Sequence, residues 1–192
     1  MKIRILAMAL LLTGLTVIQA SAQSFNLGLE GGANFSNFIG SDSQNFINGA
    51  SSNKLGFVGG GFLGLNFGNS FAIRPELLYE QKGTAITGQT TTAELDYIEV
   101  PVLLKFSLGT PGFNPGILLG PSFSWNTVAS VSNGGSFKNN VNSSDVGMVG
   151  GVEIDIDKFL VSGRYELGLQ NIEQNVKVQN GTITLLVGYS FM

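Results

Sequence analysis

Three kinds of stretch in the sequence carry residue types and spacings that could do chemistry. Glu153-Ile-Asp-Ile-Asp157 sets three carboxylates at alternate positions, which could attract a divalent cation. It lacks the 12-residue loop and closing Glu of a dedicated calcium loop, and reads instead as a strand running into a solvated turn. Gly59-Gly-Gly-Phe-Leu-Gly64 satisfies G-x-G-x-x-G, but that fingerprint needs a helix N-terminus to cradle a pyrophosphate, and here a strand continues. Asn34-Phe-Ser36, Asn142-Ser-Ser144 and Asn180-Gly-Thr182 fit N-x-[ST] and read as ordinary loop residues. The chain has no Cys and no His. Disulfides, thiol nucleophiles, zinc-thiolate sites and lipid-bearing cysteines are excluded, as are Ser-His and Cys-His pairs, imidazole metal sites and His proton shuttles. No catalytic residue, metal ligand or cofactor site emerges.

The remaining chemistry is charge in a fixed phase. Arg74, Glu76 and Glu80 alternate with Ile73, Leu77 and Tyr79, while Ser162, Arg164 and Glu166 alternate with Val161, Tyr165 and Leu167. Between Leu95 and Phe106, Tyr97, Glu99, Leu103 and Lys105 oppose Ile98, Val100, Val102, Leu104 and Phe106. The closing segment sets Thr182, Thr184 and Ser190 against Ile183, Leu185, Val187, Tyr189 and Phe191. Period two is the mark of a strand with unlike faces. Phe25 to Phe35, Leu55 to Phe67, Pro115 to Trp125 and Val146 to Asp155 read as further strands, with glycines inside them as bends or close approaches demand. That makes eight strands, an even number.

The segments between them differ in length. Ser36 to Lys54, Gly83 to Glu94, Asn126 to Asp145 and Leu169 to Asn180 are long or medium. Gly68 to Ser70, Ser107 to Asn114 and Asp155 to Lys158 are short. Long and short alternate, as in transmembrane barrels with short periplasmic turns and longer external loops. The reading is all-β: an eight-stranded antiparallel up-and-down transmembrane β-barrel with both termini periplasmic.

Composition decides which face meets which solvent. Charged residues are only 12% of the chain, and 27 of its 192 residues are Gly, against roughly 25% charged and about 7% Gly in soluble domains. A soluble lipid-binding barrel turns its apolar face inward and needs a charged coat that this chain lacks. Placing Arg74, Glu76, Glu99, Lys105, Glu153, Arg164 and Glu166 inward leaves the apolar rows to lipid. The reverse would cost about 2 to 4 kcal/mol for each Arg or Lys at the midplane. Phe25, Phe67, Phe71, Tyr79, Phe106, Trp125, Tyr165, Tyr189 and Phe191 near strand ends fit interfacial girdles. An eight-stranded lumen is just wide enough to be filled by side chains, and unpaired buried charges are costly. The inward set is therefore expected to form a network plugging the barrel, with Arg74 and Arg164 as hubs satisfied by Glu76, Glu99 and Glu166.

Met1 to Ala22 carries Lys2 and Arg4, an apolar run and Ala20-Ser21-Ala22, the pattern of a secretory signal peptide cut after Ala22. Residues 23–192 form the barrel domain. Without Lys2 and Arg4 the chain has 8 basic and 13 acidic residues, a net charge of about −5, so nucleic acid is excluded as a partner held by bulk charge. The expected partners are the lipid bilayer, the outer-membrane assembly machinery and an extracellular or envelope protein, with the barrel a monomer.

Arg74-Pro-Glu-Leu-Leu-Tyr-Glu-Gln-Lys-Gly83, Leu95-Asp-Tyr-Ile-Glu-Val-Pro-Val-Leu-Leu-Lys105, Leu119-Gly-Pro-Ser122 and Gly163-Arg-Tyr-Glu-Leu-Gly168 resemble, in order, blocks of the PorT-like outer-membrane β-barrel family of Bacteroidetes, often labelled porin family proteins. Gly31-Gly-Ala-Asn-Phe-Ser36 and Val187-Gly-Tyr-Ser-Phe191 extend the match across essentially all of Phe25 to Met192. The resemblance implies an outer-membrane location and a barrel, and it carries no catalytic residue with it. Outer-membrane barrel proteases, phospholipases and acyltransferases rely on His, which is missing here. Phe191 is expected to belong to the assembly signal, one position before Met192. The function expected is structural, or interaction through external loops. A narrow porin or small-ligand barrel is the alternative, and a secreted soluble lipid-binding barrel a minor one.

Overall fold

The computed structural model describes residues 24–43, 51–86, 92–110, 112–131, 142–172 and 177–191. The expected signal peptide, residues 1–22, lies outside the described residues, as do residues 44–50, 87–91, 132–141 and 173–176 of the connectors. Eight strands follow one another: β1 (Ser24–Ile39), β2 (Ser51–Phe67), β3 (Phe71–Ile86), β4 (Thr92–Ser107), β5 (Phe113–Val131), β6 (Ser144–Ile156), β7 (Phe159–Gly168) and β8 (Gln179–Ser190). Each pairs antiparallel with the next, and β8 returns to β1 from Gly28↔Ser190 to Ile39↔Gln179, closing the barrel. Closure leaves no open edge, as a sheet in hydrocarbon requires.

Alternation sets the two faces. In β4 every second residue from Ala93 to Lys105 is buried, and β7 and β8 keep the same rhythm. On the outside, Leu29, Phe57, Leu77, Val152 and Val187 are each more than half exposed. A continuous apolar surface of this kind belongs against lipid, not water. The soluble lipid-binding alternative fails on this point, because that barrel needs its apolar row inside. Phe67, Phe71 and Phe106 stack at 5.7 and 5.4 Å between ring centroids. Phe159, Tyr189 and Phe191 meet edge-on at 5.2 and 5.8 Å. Both chains of rings sit at the short-turn end, where a girdle is expected.

Two expectations need correction. Pairing continues past the strand ends read from composition, through Ala85↔Thr92 and Ala93↔Val131, so residues 87–91 between β3 and β4 are no longer than residues 108–112 between β4 and β5. Long and short connectors therefore do not alternate without exception. A spanning strand needs only about 9 to 11 residues, and the surplus lies at the long-loop end, where polar Thr, Ser and Gly continue the ladder as well as apolar residues do. The second correction concerns the N-x-[ST] stretches. Asn34 and Ser36 are fully buried in β1, and Asn180 and Thr182 are buried in β8. These are inward residues of strands, because a polar lumen accepts amides and hydroxyls that a lipid-facing row would not.

Tight curvature at β1 and β2 depends on missing side chains. A Cβ on Gly60 would lie 2.9 Å from the Leu78 Cα, and one on Gly32 3.0 Å from the Leu186 Cα. Those glycines let the neighbouring strands approach, while Val58, Leu78 and Leu186 fill the space beside them.

Candidate functional site

All seven charged residues assigned to the lumen point inward and are buried. β3 supplies the spine. It starts at the short-turn end, and its inward phase runs Arg74, Glu76, Leu78, Glu80, Lys82 toward the long-loop end. Around it the charges divide into two groups.

The group nearer the short turns centres on two arginines. Arg74 donates through Nη1 to both Glu153 oxygens at 2.7 and 2.6 Å, and through Nη2 to Glu30 at 2.6 Å. Its Nε lies 2.9 Å from Glu76 Oε1, and its guanidinium stacks 3.9 Å from the Phe62 ring centroid. Arg164 donates to Glu76 at 2.6 Å and to Glu30 at 3.1 Å, and passes 3.7 Å from Glu153. Lys105 donates to Glu153 at 2.8 Å and also pairs with Asp155. The Glu153-Ile-Asp155 carboxylates are thus taken up by a lysine, while Asp157 occupies the β6–β7 turn at a positive φ of 53°.

The second group centres on Lys82. Its ammonium donates to Glu99 at 2.5 Å and to Glu166, and stands 3.1 Å from Glu80. Ser122 Oγ donates to the other Glu166 oxygen at 2.8 Å, and Ser124 Oγ to Glu99 at 2.9 Å. Above this group the lumen turns apolar: Phe38, Leu95, Tyr97, Ala129, Ile172 and Val178 pack together. Ile172 comes from the connector after β7, held by its N–H donating to the Val178 carbonyl at 2.7 Å.

The pairing differs from the one expected. Arg74 and Arg164 share Glu30, Glu76 and Glu153, whereas Glu99 and Glu166 sit on Lys82. The cause is axial position: Glu99 pairs across from Leu78 at the middle of β3, while Arg74 pairs across from Leu103 nearer the short turns, and the Glu99 and Glu166 carboxylates meet Lys82. Glu30, Glu80 and Lys82 were absent from the expected set. Lys82 and Glu80 carry the Arg74 phase and were legible by it. Glu30 stands in the glycine-rich β1, where alternation is weakest. Phe191 lies just past β8, nearly half exposed, its N–H donating to the Leu27 carbonyl at 2.8 Å.

The short-turn mouth opens into a vestibule of about 370 Å³ bordered by Asn26, Asn66, Asn114, Phe62, Arg74 and Lys105. Gly59 to Gly64 lies wholly within β2, so no phosphate cradle forms there.

A family model for the outer membrane protein beta-barrel domain matches residues 20–174. Comparison with curated proteins gives no match. Among solved structures, the chain is similar to Ail, the attachment invasion locus protein of Yersinia pestis, solved with the heparin analogue sucrose octasulfate. The TM-score is 0.51 at 17% identity, over 88% of this chain and 100% of that one. Neisserial surface protein A gives 0.52 at 15% identity over 88% and 100%. The outer membrane enzyme PagL gives 0.52 at 10% identity over 86% and 99%. At these identities what is shared is the fold.

Proposed function

The chain belongs to the outer membrane protein beta-barrel domain family, and from that premise we propose that it is a non-enzymatic barrel with a closed lumen, acting structurally or by interaction through its external loops. The observation that carries this reading is the lumen itself. Two ion-pair groups and an apolar cap fill it in succession, and an eight-stranded barrel has no cross-section left for a channel. PagL is an enzyme on a similar fold, so the fold alone does not exclude chemistry. This chain has no His or Cys, and its buried lumenal carboxylates pair with Arg74, Arg164, Lys105 and Lys82. The signal peptide at Met1 to Ala22 supports export, and the blocks at Arg74 to Gly83 and Leu95 to Lys105 support a PorT-like affiliation. Those blocks supply Arg74, Glu76, Lys82, Glu99 and Lys105, so the resemblance is largely a resemblance of lumens. Specificity belongs to the loops, which vary on a rigid scaffold.

Two measurements test the reading. Purified protein in planar bilayers is expected to show no steady conductance, and an open-pore current overturns the closed lumen. Replacing residues 132–141 with a short Gly-Ser linker is expected to abolish crosslinked partner capture on intact cells, leaving the heat-modifiable barrel and solute uptake unchanged. A small-ligand barrel is the second reading, favoured by the polar vestibule. Uptake lost on narrowing that mouth, with loop function intact, would select it.

A further inference from the structure

The two ends of the lumen differ. At the long-loop end it is filled by Phe38, Tyr97, Ile172 and Val178. At the short-turn end it widens into a cup of about 370 Å³, within the roughly 300 to 1,000 Å³ of small-molecule sites. The cup is blind, because the ion pairs of Glu153 with Arg74 and Lys105 close it from below.

Its walls repeat one device on opposite sides. Near the start of β1, Asn26 donates through Nδ2 to Ser190, the last residue of β8, at 3.4 Å. Near the start of β5, Asn114 donates through Nδ2 to Ser107, the last residue of β4, at 3.1 Å. In a closed ring of eight strands, β1 and β8 stand across from β5 and β4, so two amide-hydroxyl pairs face each other over the opening. Asn66 of β2 extends the first wall, donating to Ser24 at 3.3 Å and to Asn26 Oδ1 at 3.4 Å. Gly64 makes room for Asn26, since a Cβ there would run into Asn26 Oδ1. Beneath them lies a flat floor, the Phe62 ring with the Arg74 guanidinium stacked 3.9 Å from its centroid.

The chemistry of the cup selects its ligand. The wall bonds of Asn26 and Asn66 are near the long limit of a hydrogen bond, so an entering group replaces them at little cost. An ion finds no uncommitted partner at the floor, where Arg74 and Lys105 hold Glu153 and Lys105 also holds Asp155. An apolar molecule would strip water from the amides and leave them unpaired. An extended peptide that docks by strand addition needs a free sheet edge, and the closed barrel has none. A sugar hydroxyl both donates and accepts, and so do the Asn amides and Ser hydroxyls of the walls.

We propose that this vestibule binds a neutral saccharide of one or two rings, its hydroxyls held between Asn26 and Asn66 on one wall and Asn114 on the other, and its ring resting on the floor. The inference rests on the second reading above, whose ligand class it supplies, and it needs no passage through the lumen.

The test titrates the full isotope-labelled barrel, in lipid nanodiscs free of sugar-bearing detergent, with maltose and with diacetylchitobiose, while NMR follows the side-chain amides of Asn26, Asn66 and Asn114. Saturable shifts of those amides are expected with at least one of the two, unchanged by added salt because no net charge is bound. Asn66→Leu should weaken binding about tenfold, the worth of one hydrogen-bonding amide, and Ile172→Ala at the other end should leave it unchanged. Maltoheptaose binding as well as maltose extends the site to the end of a longer glycan, and its exclusion confines the site to free sugars; either result supports the cup. The proposal is overturned if neither disaccharide shifts the three amides, if inorganic phosphate shifts them instead, which makes the cup an anion site, or if Asn66→Leu binds like the wild type. Should Asn66→Leu lack heat-modifiable mobility, Asn26→Leu takes its place. A closed lumen that binds no sugar fails this inference alone, whereas a conducting lumen that binds sugar fails only the closed-lumen reading.

Discussion

The two storeys of the lumen solve the same problem with different redundancy. Near the short turns, Glu30, Glu76 and Glu153 are each touched by Arg74 and by Arg164, and planar guanidinium groups can grip several carboxylates at once. Loss of one arginine leaves the other in contact with the same acids. Toward the long loops, one ammonium serves three carboxylates, and no second cation bonds to them among the described residues. The lesson is that the number of ion pairs says less about a buried network than the number of cations that can stand in for each other.

This contrast can be broken by substitution. The largest effect is expected at Lys82→Met, which removes the one cation that, among the described residues, bonds to the carboxylates of the second storey. Removing one partner of a buried pair costs about 3 to 5 kcal/mol, and this variant should fall near 5 in urea unfolding of the refolded barrel. Arg74→Met should cost less, about 3 kcal/mol, because Arg164 remains. Combining it with Arg164→Met should cost more than the two singles together, with a coupling of about 1 to 3 kcal/mol. If Arg74→Met proved as damaging as Lys82→Met, the redundancy argument would be wrong. Next, Ile172→Ala should cost about 2 kcal/mol through a cavity in the apolar cap, and conductance should stay absent because the ion pairs below still fill the lumen. The smallest effect belongs to Phe191→Ala, about 1 kcal/mol for its edge-on contact with Tyr189. If Phe191 is also part of the assembly signal, the yield of heat-modifiable protein in the outer membrane falls further than that loss of stability explains.

Much of the fold was legible because lipid and lumen impose a period of two. β3, β4, β7 and β8 alternate buried and exposed residues over most of their length, with most of the charges in the inward row beside Leu78, Leu95, Leu103 and Leu186, so face and element could be read together. β1 and β2 were harder: glycine has no side chain to declare a face, and Glu30 was therefore missed. The ends of β3, β4 and β5 were misjudged because beyond the bilayer the ladder depends on backbone hydrogen bonds, which composition does not encode. Asn34 and Asn180 looked like loop residues for the related reason that polarity in a barrel can mean lumen as easily as solvent.

By itself the sequence determined the number of strands, which side of each meets lipid, and that buried charge must be neutralised within the lumen, since all of these follow from the period and sign of its residues. Only the tertiary structure decided which charge meets which. Pairing depends on the axial height at which eight strands fall into register, and that height is a product of closure: the β8–β1 seam and the glycine-lined approach of β1 and β2 set Glu30 beside the arginines and leave Glu80, Glu99 and Glu166 gathered on one lysine.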